Sequence, residues 1–256
     1  MDSEEIKNIV EALTDQLDIF GDDMLEKIEF DSSELNTGKA VSGSENKPDH
    51  NIHIESGNNL FMEDFQKAAT LDSLYEMIHE CQKCALGATR TKFVFGVGNP
   101  EADLMLIGEA PGAEEDRQGI PFVGRAGKLL TDILKAIDFE REDVYIANIL
   151  KCRPPQNRDP LPSEREQCFP YLMKQIELIK PKVIVCLGRI AANALLKKNE
   201  SLTRLREDEY YINDIKVFIT YHPAALLRNP NWKRGCWEDV KKVKKYYDEV
   251  MAGENG

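Results

Sequence analysis

Four short apolar runs punctuate the chain, at 103–108 (DLMLIG), 143–149 (DVYIANI), 183–188 (VIVCLG) and 216–221 (KVFITY). Each is bounded by polar or glycine-bearing sequence and reads as a buried strand. Between them the apolar positions switch to helical spacing. The spacing predicts helices over 127–137 (GKLLTDILKAI), 163–180 (interrupted at Pro170), 189–198 (RIAANALLKK) and, with a basic face, 237–251. A short hairpin is expected at 203–215. Strands alternating with helices predict an α/β fold, a three-layer α/β/α sandwich around a central, mainly parallel four-stranded sheet.

Upstream the pattern changes. Ile6, Ile9, Val10, Leu13 and Leu17 fall at helical spacing within 5–20 and predict a short amphipathic helix. It reads first as an appendage packed on the body and second as an element for an unidentified partner. Residues 31–60 are rich in Ser, Asn and Gly with little to bury, which predicts a flexible linker. His50 and His53 fall there and read as a solvated pair. The chain thus divides into an acidic extension (1–30), a linker (31–60) and one large domain (61–256).

Charge follows that division. The formal net charge is −12, but residues 1–60 carry 15 acidic and 4 basic side chains, a net of −11. The remaining body is close to neutral and free to present a basic face. No run approaches the roughly 20 apolar residues of a membrane span. MDSEEIKN has none of the features of a secretory signal. A cytoplasmic monomer without membrane contact is expected.

In open parallel sheets, ligands bind beyond the carboxyl ends of the strands. Those ends carry GEAPG from Gly108, then Asn148, then LGRIAA, then His222-Pro223. The first opens a loop, GEAPGAEEDRQGIPFVGRAG, with five glycines but also Glu109, Glu114, Glu115 and Asp116. That acidity argues against a nucleotide's phosphates, and no G-x-G-x-x-G follows the strand.

Six cysteines stand at 81, 84, 152, 168, 186 and 236. Cys81 and Cys84 form a C-x2-C pair, while Cys152 and Cys168 bracket CRPPQNRDPLPSEREQC. Such a set suits zinc or an iron–sulfur cluster about equally, with structural thiols a third reading. Cys186, inside VIVCLG, reads as a small buried residue.

Taken together, GEAPGAEEDRQGIPFVGRAG, NILKCRPPQNRDPLPSEREQC, the CQKC pair and YHPAALLRNP resemble the family 4 uracil-DNA glycosylases, over roughly residues 70 to 250. The resemblance implies a [4Fe–4S] cluster on Cys81, Cys84, Cys152 and Cys168. It implies a base-excision repair enzyme that takes uracil from single- or double-stranded DNA and leaves an abasic site. Gly108 and Ala110 would then line a pocket for a base turned out of the helix. Phe122 would stack on it, and Asn148 would match its N3–H and O4 with one acceptor and one donor. Glu115 would contribute to a wall excluding thymine's methyl. His222 would donate to O2 as negative charge grows on the leaving ring.

Relatives use an aspartate to orient the attacking water where this chain has Ala110, so Glu109 is the remaining carboxylate for that task. Leu226 is the expected wedge in the duplex, with Arg228 and Arg189 meeting phosphates. Two rival readings are a zinc-stabilised nucleic-acid-binding module without enzymatic activity and an iron–sulfur electron-transfer protein.

Overall fold

The computed structural model describes residues 51–52 and 63–254. The helix expected at 5–20, the pair His50 and His53, and most of the linker lie outside them.

In chain order the strands are β1 (Asn51–Ile52), β2 (Val97–Gly98), β3 (Leu104–Gly108), β4 (Tyr145–Asn148), β5 (Val183–Leu187), β6 (Tyr210–Ile212) and β7 (Ile215–Thr220). The helices are α1 (Leu71–Ile78), α2 (Leu86–Thr89), α3 (Ala113–Gln118), α4 (Arg125–Lys135), α5 (Pro162–Ile179), α6 (Arg189–Leu196), α7 (Leu202–Glu207), α8 (Pro223–Arg228) and α9 (Lys233–Glu254).

The four expected strands form the parallel centre of the sheet, in the order β7-β5-β3-β4. The sheet is nevertheless seven-stranded and mixed, a correction to the four strands expected. β6 and β2 add antiparallel to β7 and β4, and β1 adds parallel to β6. The expected hairpin is displaced. Residues 202–207 are helical, and the hairpin is β6–β7, turning at Asn213 and Asp214, both at positive φ. β1 also takes residues 51–52 out of the expected linker, and the Asn51 amide donates to Asp214 at 2.7 Å.

Alternate residues of the central strands feed two cores, as the two-residue period of a strand requires. Leu104, Leu106, Val183, Val185 and Leu187 face α4 and α9 through Leu130, Ile133, Leu134, Trp237 and Val240. Met105, Ile107, Ile184 and Cys186 face α5 and α6 through Leu172, Ile176, Ala191 and Leu195. Both faces are covered, giving the three layers expected. α5 runs unbroken through Pro170. A third, smaller core joins Phe65, Leu74, Ile78, Leu86, Leu150 and Tyr171 to Cys152 and Cys168.

Candidate active site

Gly108 and Asn148 end adjacent parallel strands and are paired in register. The approach is so close that a Cβ on Gly108 would lie 2.4 Å from Asn148 Oδ1 and 2.6 Å from Phe122 Cζ. Amide, ring and glycine therefore share one small space. Asn148 is 2% exposed, and its Oδ1 is a buried acceptor with no hydrogen-bond partner. Buried polar atoms are nearly always paired, so an orphan at a strand end marks a place for a water or a ligand to bind.

Phe122 closes one side. It is 6% exposed, and its φ of 53° is in the left-handed region that non-glycine residues avoid. The surroundings impose this. The Glu115 carboxylate accepts the N–H groups of Val123 (3.0 Å) and Gly124 (3.1 Å), and also that of Gly112 (3.1 Å). The Arg141 guanidinium holds the Pro121 carbonyl. A Cβ on Gly127 would meet the Phe122 carbonyl oxygen at 1.9 Å, so the start of α4 presses directly on this peptide. Glu115, expected in a wall against thymine, uses its carboxylate to tie the first turn of α3 to the Phe122 loop.

His222 follows β7, and its ring lies 5.6 Å from that of Phe122 at 31°. Its Nδ1 accepts the Ala224 N–H at 3.1 Å, capping α8. A lone pair used there leaves the proton of the neutral ring on Nε2. Burial, then the Arg228 charge, push its pKa down to about 4, against a smaller pull from Glu115. The imidazole is thus a neutral donor near pH 7.

Glu109 is half-buried, and burial with the charge of Asp159 raises its pKa to about 7 despite Arg189 and Arg165. Ala110 packs against the cysteine-bearing core. Arg189, at the start of α6, and Arg228, at the end of α8, are exposed.

Leu226 departs from expectation. It is 0% exposed and belongs to the core beneath α4, because Pro223 and Leu226, three apart on α8, face inward together. Its neighbour Leu227 is 44% exposed. The exposed apolar side chain on α8 is therefore Leu227, not Leu226.

Cys81, Cys84, Cys152 and Cys168 all border the third core. Hydrogen-bond donors reach three of their sulfurs. Lys151 N–H points to Cys168 Sγ (3.3 Å), Tyr171 OH to Cys81 Sγ (3.3 Å), and Arg90 Nη1 to Cys152 Sγ (3.4 Å). Arg90 also donates to the carbonyls of Cys81 and His79, bridging the two cysteine pairs. Among the described residues, no group of three or more His, Cys, Asp or Glu is arranged to hold a metal ion. Cys186 is fully buried, its thiol pKa pushed well up by burial alone.

Lys151 was not singled out by sequence pattern. It is 0% exposed and its ammonium donates to the Asn148 carbonyl at 3.0 Å and to Gln175 Oε1 at 2.5 Å. The signal was available in NILKC, a charged residue inside an apolar stretch three positions after Asn148. Elsewhere, a surface hollow of about 470 Å³ beside Trp237 has lysines that pair with acidic neighbours on α9, and it lies apart from the residues above.

A three-layer fold thus brings an orphan amide, an aromatic ring and a neutral imidazole together at the carboxyl ends of the central strands. The chain belongs to the uracil DNA glycosylase superfamily, whose family model matches residues 95–241. It is 47% identical over 182 residues to a type-4 uracil-DNA glycosylase of Archaeoglobus fulgidus, covering 68% of this chain and 92% of that protein. Type-4 enzymes of Sulfurisphaera tokodaii (46% identical; 73% of this chain, 92% of that protein) and Saccharolobus solfataricus (48%; 68% and 85%) are similar. The module and electron-transfer readings gain no support from these relatives. No helix among the described residues is long and apolar enough to cross a membrane.

Proposed function

We propose that the chain hydrolyses the N-glycosidic bond of uracil in DNA, releasing the free base. The observation that carries this is the buried, partnerless Oδ1 of Asn148, set against Phe122 and Gly108. A carboxamide there accepts from uracil N3–H and donates to O4, whereas cytosine presents the opposite pattern. Phe122 offers the ring a face, worth about 1–3 kcal/mol of stacking.

The chemistry then rests on charge. As the bond lengthens, electrons flow onto the ring and the sugar becomes oxocarbenium-like. His222 Nε2–H donates to the growing charge at O2 more strongly than to the ground state, which lowers the barrier. A neutral imidazole does this without a proton from solvent, and the low pKa keeps it neutral. Glu109 is the carboxylate left to orient the attacking water, since Ala110 carries none. Leu227 fills the stack that the base leaves, while Arg228 and Arg189 bind phosphates. Every side chain invoked belongs to residues 61–256 of a single chain.

The donor chemistry of the four cysteines suits a [4Fe–4S] cluster: four thiols border one core, and three of them have N–H or O–H groups at their sulfurs, contacts that tune such ligands. When bound, the cluster would tie the segment between Cys152 and Cys168 to the Cys81–Cys84 turn. No step of base release involves it. The deciding experiment is release of free uracil from a uracil-containing strand. An iron-loaded chain that binds the strand and releases no uracil would overturn the reading.

A further inference from the structure

Lys151 is buried without a carboxylate partner among the described residues. Its ammonium contacts are the Asn148 carbonyl and Gln175 Oε1. Gln175, itself 0% exposed, is fixed in turn, its Nε2 donating to the Phe95 carbonyl (3.0 Å) and the Tyr145 hydroxyl (3.2 Å). Burying an ammonium is costly even with the Cys168 and Cys152 sulfurs nearby to favour its charge, and its hydrogen-bond acceptors here are neutral, so an apolar side chain of equal length would pack as well or better. Packing alone therefore does not account for a lysine here.

Its contacts indicate what it does. Asn148 is the last residue of β4, and beyond it the N–H groups of Ile149 and Leu150 bind the carbonyls of Gly108 (2.9 Å) and Glu109 (3.0 Å). The Asn148 carbonyl itself is held by Lys151. With both sides of that peptide fixed, the direction in which the Asn148 side chain leaves the backbone is fixed too. The main chain of Lys151 is equally constrained, its N–H on Cys168 Sγ and its carbonyl on the Val94 N–H (2.8 Å).

We propose that Lys151 is a positioning residue for the base reader, aiming Asn148 Oδ1 and linking that aim to the cysteine-bearing core. This rests on the uracil reading above. Replacing a lysine whose role is positional should impair base recognition and spare the fold. Lys151→Met should keep wild-type iron content and unfolding midpoint, yet bind free uracil and excise it from DNA about 10-fold or more less well. In an Asn148→Ala background the same change should add less than about twofold, because the residue it positions is gone.

Gln175→Glu offers a second route that keeps the lysine. A carboxylate beside the ammonium should draw it from the Asn148 carbonyl and weaken free-uracil binding in the same direction. Wild-type activity in a folded Lys151→Met, a loss that multiplies fully with that of Asn148→Ala, or unchanged uracil affinity in Gln175→Glu each overturns the proposal. If Lys151→Met does not fold, Gln175→Glu decides alone. A wild-type chain that releases no uracil removes the functional reading, and this proposal with it. An active wild type with unaffected variants removes only the role of Lys151.

Discussion

The Nδ1 of His222 accepts the backbone N–H of Ala224, so one residue caps α8 while its ring lies 5.6 Å from that of Phe122 with the other nitrogen left to donate. The two roles separate on mutation. His222→Asn should preserve much of the cap, since Asn is a good N-cap residue, but not the reach of the imidazole. Both His222→Asn and His222→Ala should slow single-turnover excision by roughly 100- to 1,000-fold with DNA binding little changed. The loss should shrink on 5-fluorouracil, whose anion is the more stable leaving group. Equal slowing of both bases would show that His222 acts by position and not on developing charge.

Glu109 sets an opposite pH signature. Its pKa of about 7 lies above the ordinary 4.5, so the folded chain holds an extra proton between those values. Its contribution to stability falls as pH rises through that window. His222, at about 4 when folded and near 6.5 when unfolded, contributes fully above 6.5 and loses that contribution as pH falls toward 4. If ionised Glu109 orients the water, excision should climb through about pH 7, and Glu109→Gln should flatten the climb and cost about 100-fold. A variant that keeps the wild-type pH profile would exclude the role.

Gly108→Ala tests the pocket without touching a reactive group. The new methyl would sit 2.4 Å from Asn148 Oδ1 and 2.6 Å from the Phe122 ring. One of them must move, and a shift near 1 Å can cost on the order of 100-fold in rate. Circular dichroism should show the fold retained, while free uracil no longer binds. Retained uracil affinity would place the base elsewhere.

Leu226 and Leu227 should divide stability from DNA engagement. Leu226→Ala empties a fully buried site and should destabilise by about 2–5 kcal/mol, read by denaturant unfolding. Leu227→Ala should unfold like wild type but excise uracil more slowly from duplex than from single strands. The reverse pattern would restore Leu226 as the wedge.

Replacing Cys81, Cys84, Cys152 or Cys168 with Ala should lower iron content and the absorbance near about 400 nm that iron–thiolate bonds generate. Cys186→Ala and Cys236→Ala should leave both unchanged, since each lies in a core layer of the sheet. Full iron in Cys152→Ala would overturn the ligand set.

The four long strands were legible because each is an apolar run that must be buried on both faces. β1 and β2 were not, since two residues pairing at a sheet edge leave no periodicity to read. Strand ends then located Gly108, Asn148 and His222, because a parallel sheet brings consecutive carboxyl ends to one side. Side-chain direction was harder. Leu226 and Leu227 are equally apolar, and only the rotation of α8 separates core from surface. Glu115 was given a wall role on the resemblance alone, and its bonds to the N–H groups of Gly112, Val123 and Gly124, up to nine residues away, leave no pattern in the sequence. Lys151 was passed over because charged residues beside cysteines are ordinarily solvated.

The close approach of Gly127 to the Phe122 carbonyl seats the loop that carries the aromatic ring directly on the start of α4. The Phe122 main chain therefore cannot shift toward α4 without moving that helix, whose apolar face is committed to the sheet. The ordering entropy of that surface was therefore spent when the chain folded, and a ring bound against it would not spend it again. On the proposed reading such a surface would act as a rigid die: a ring of the wrong outline would meet a wall that does not yield, and would be refused before any bond is strained.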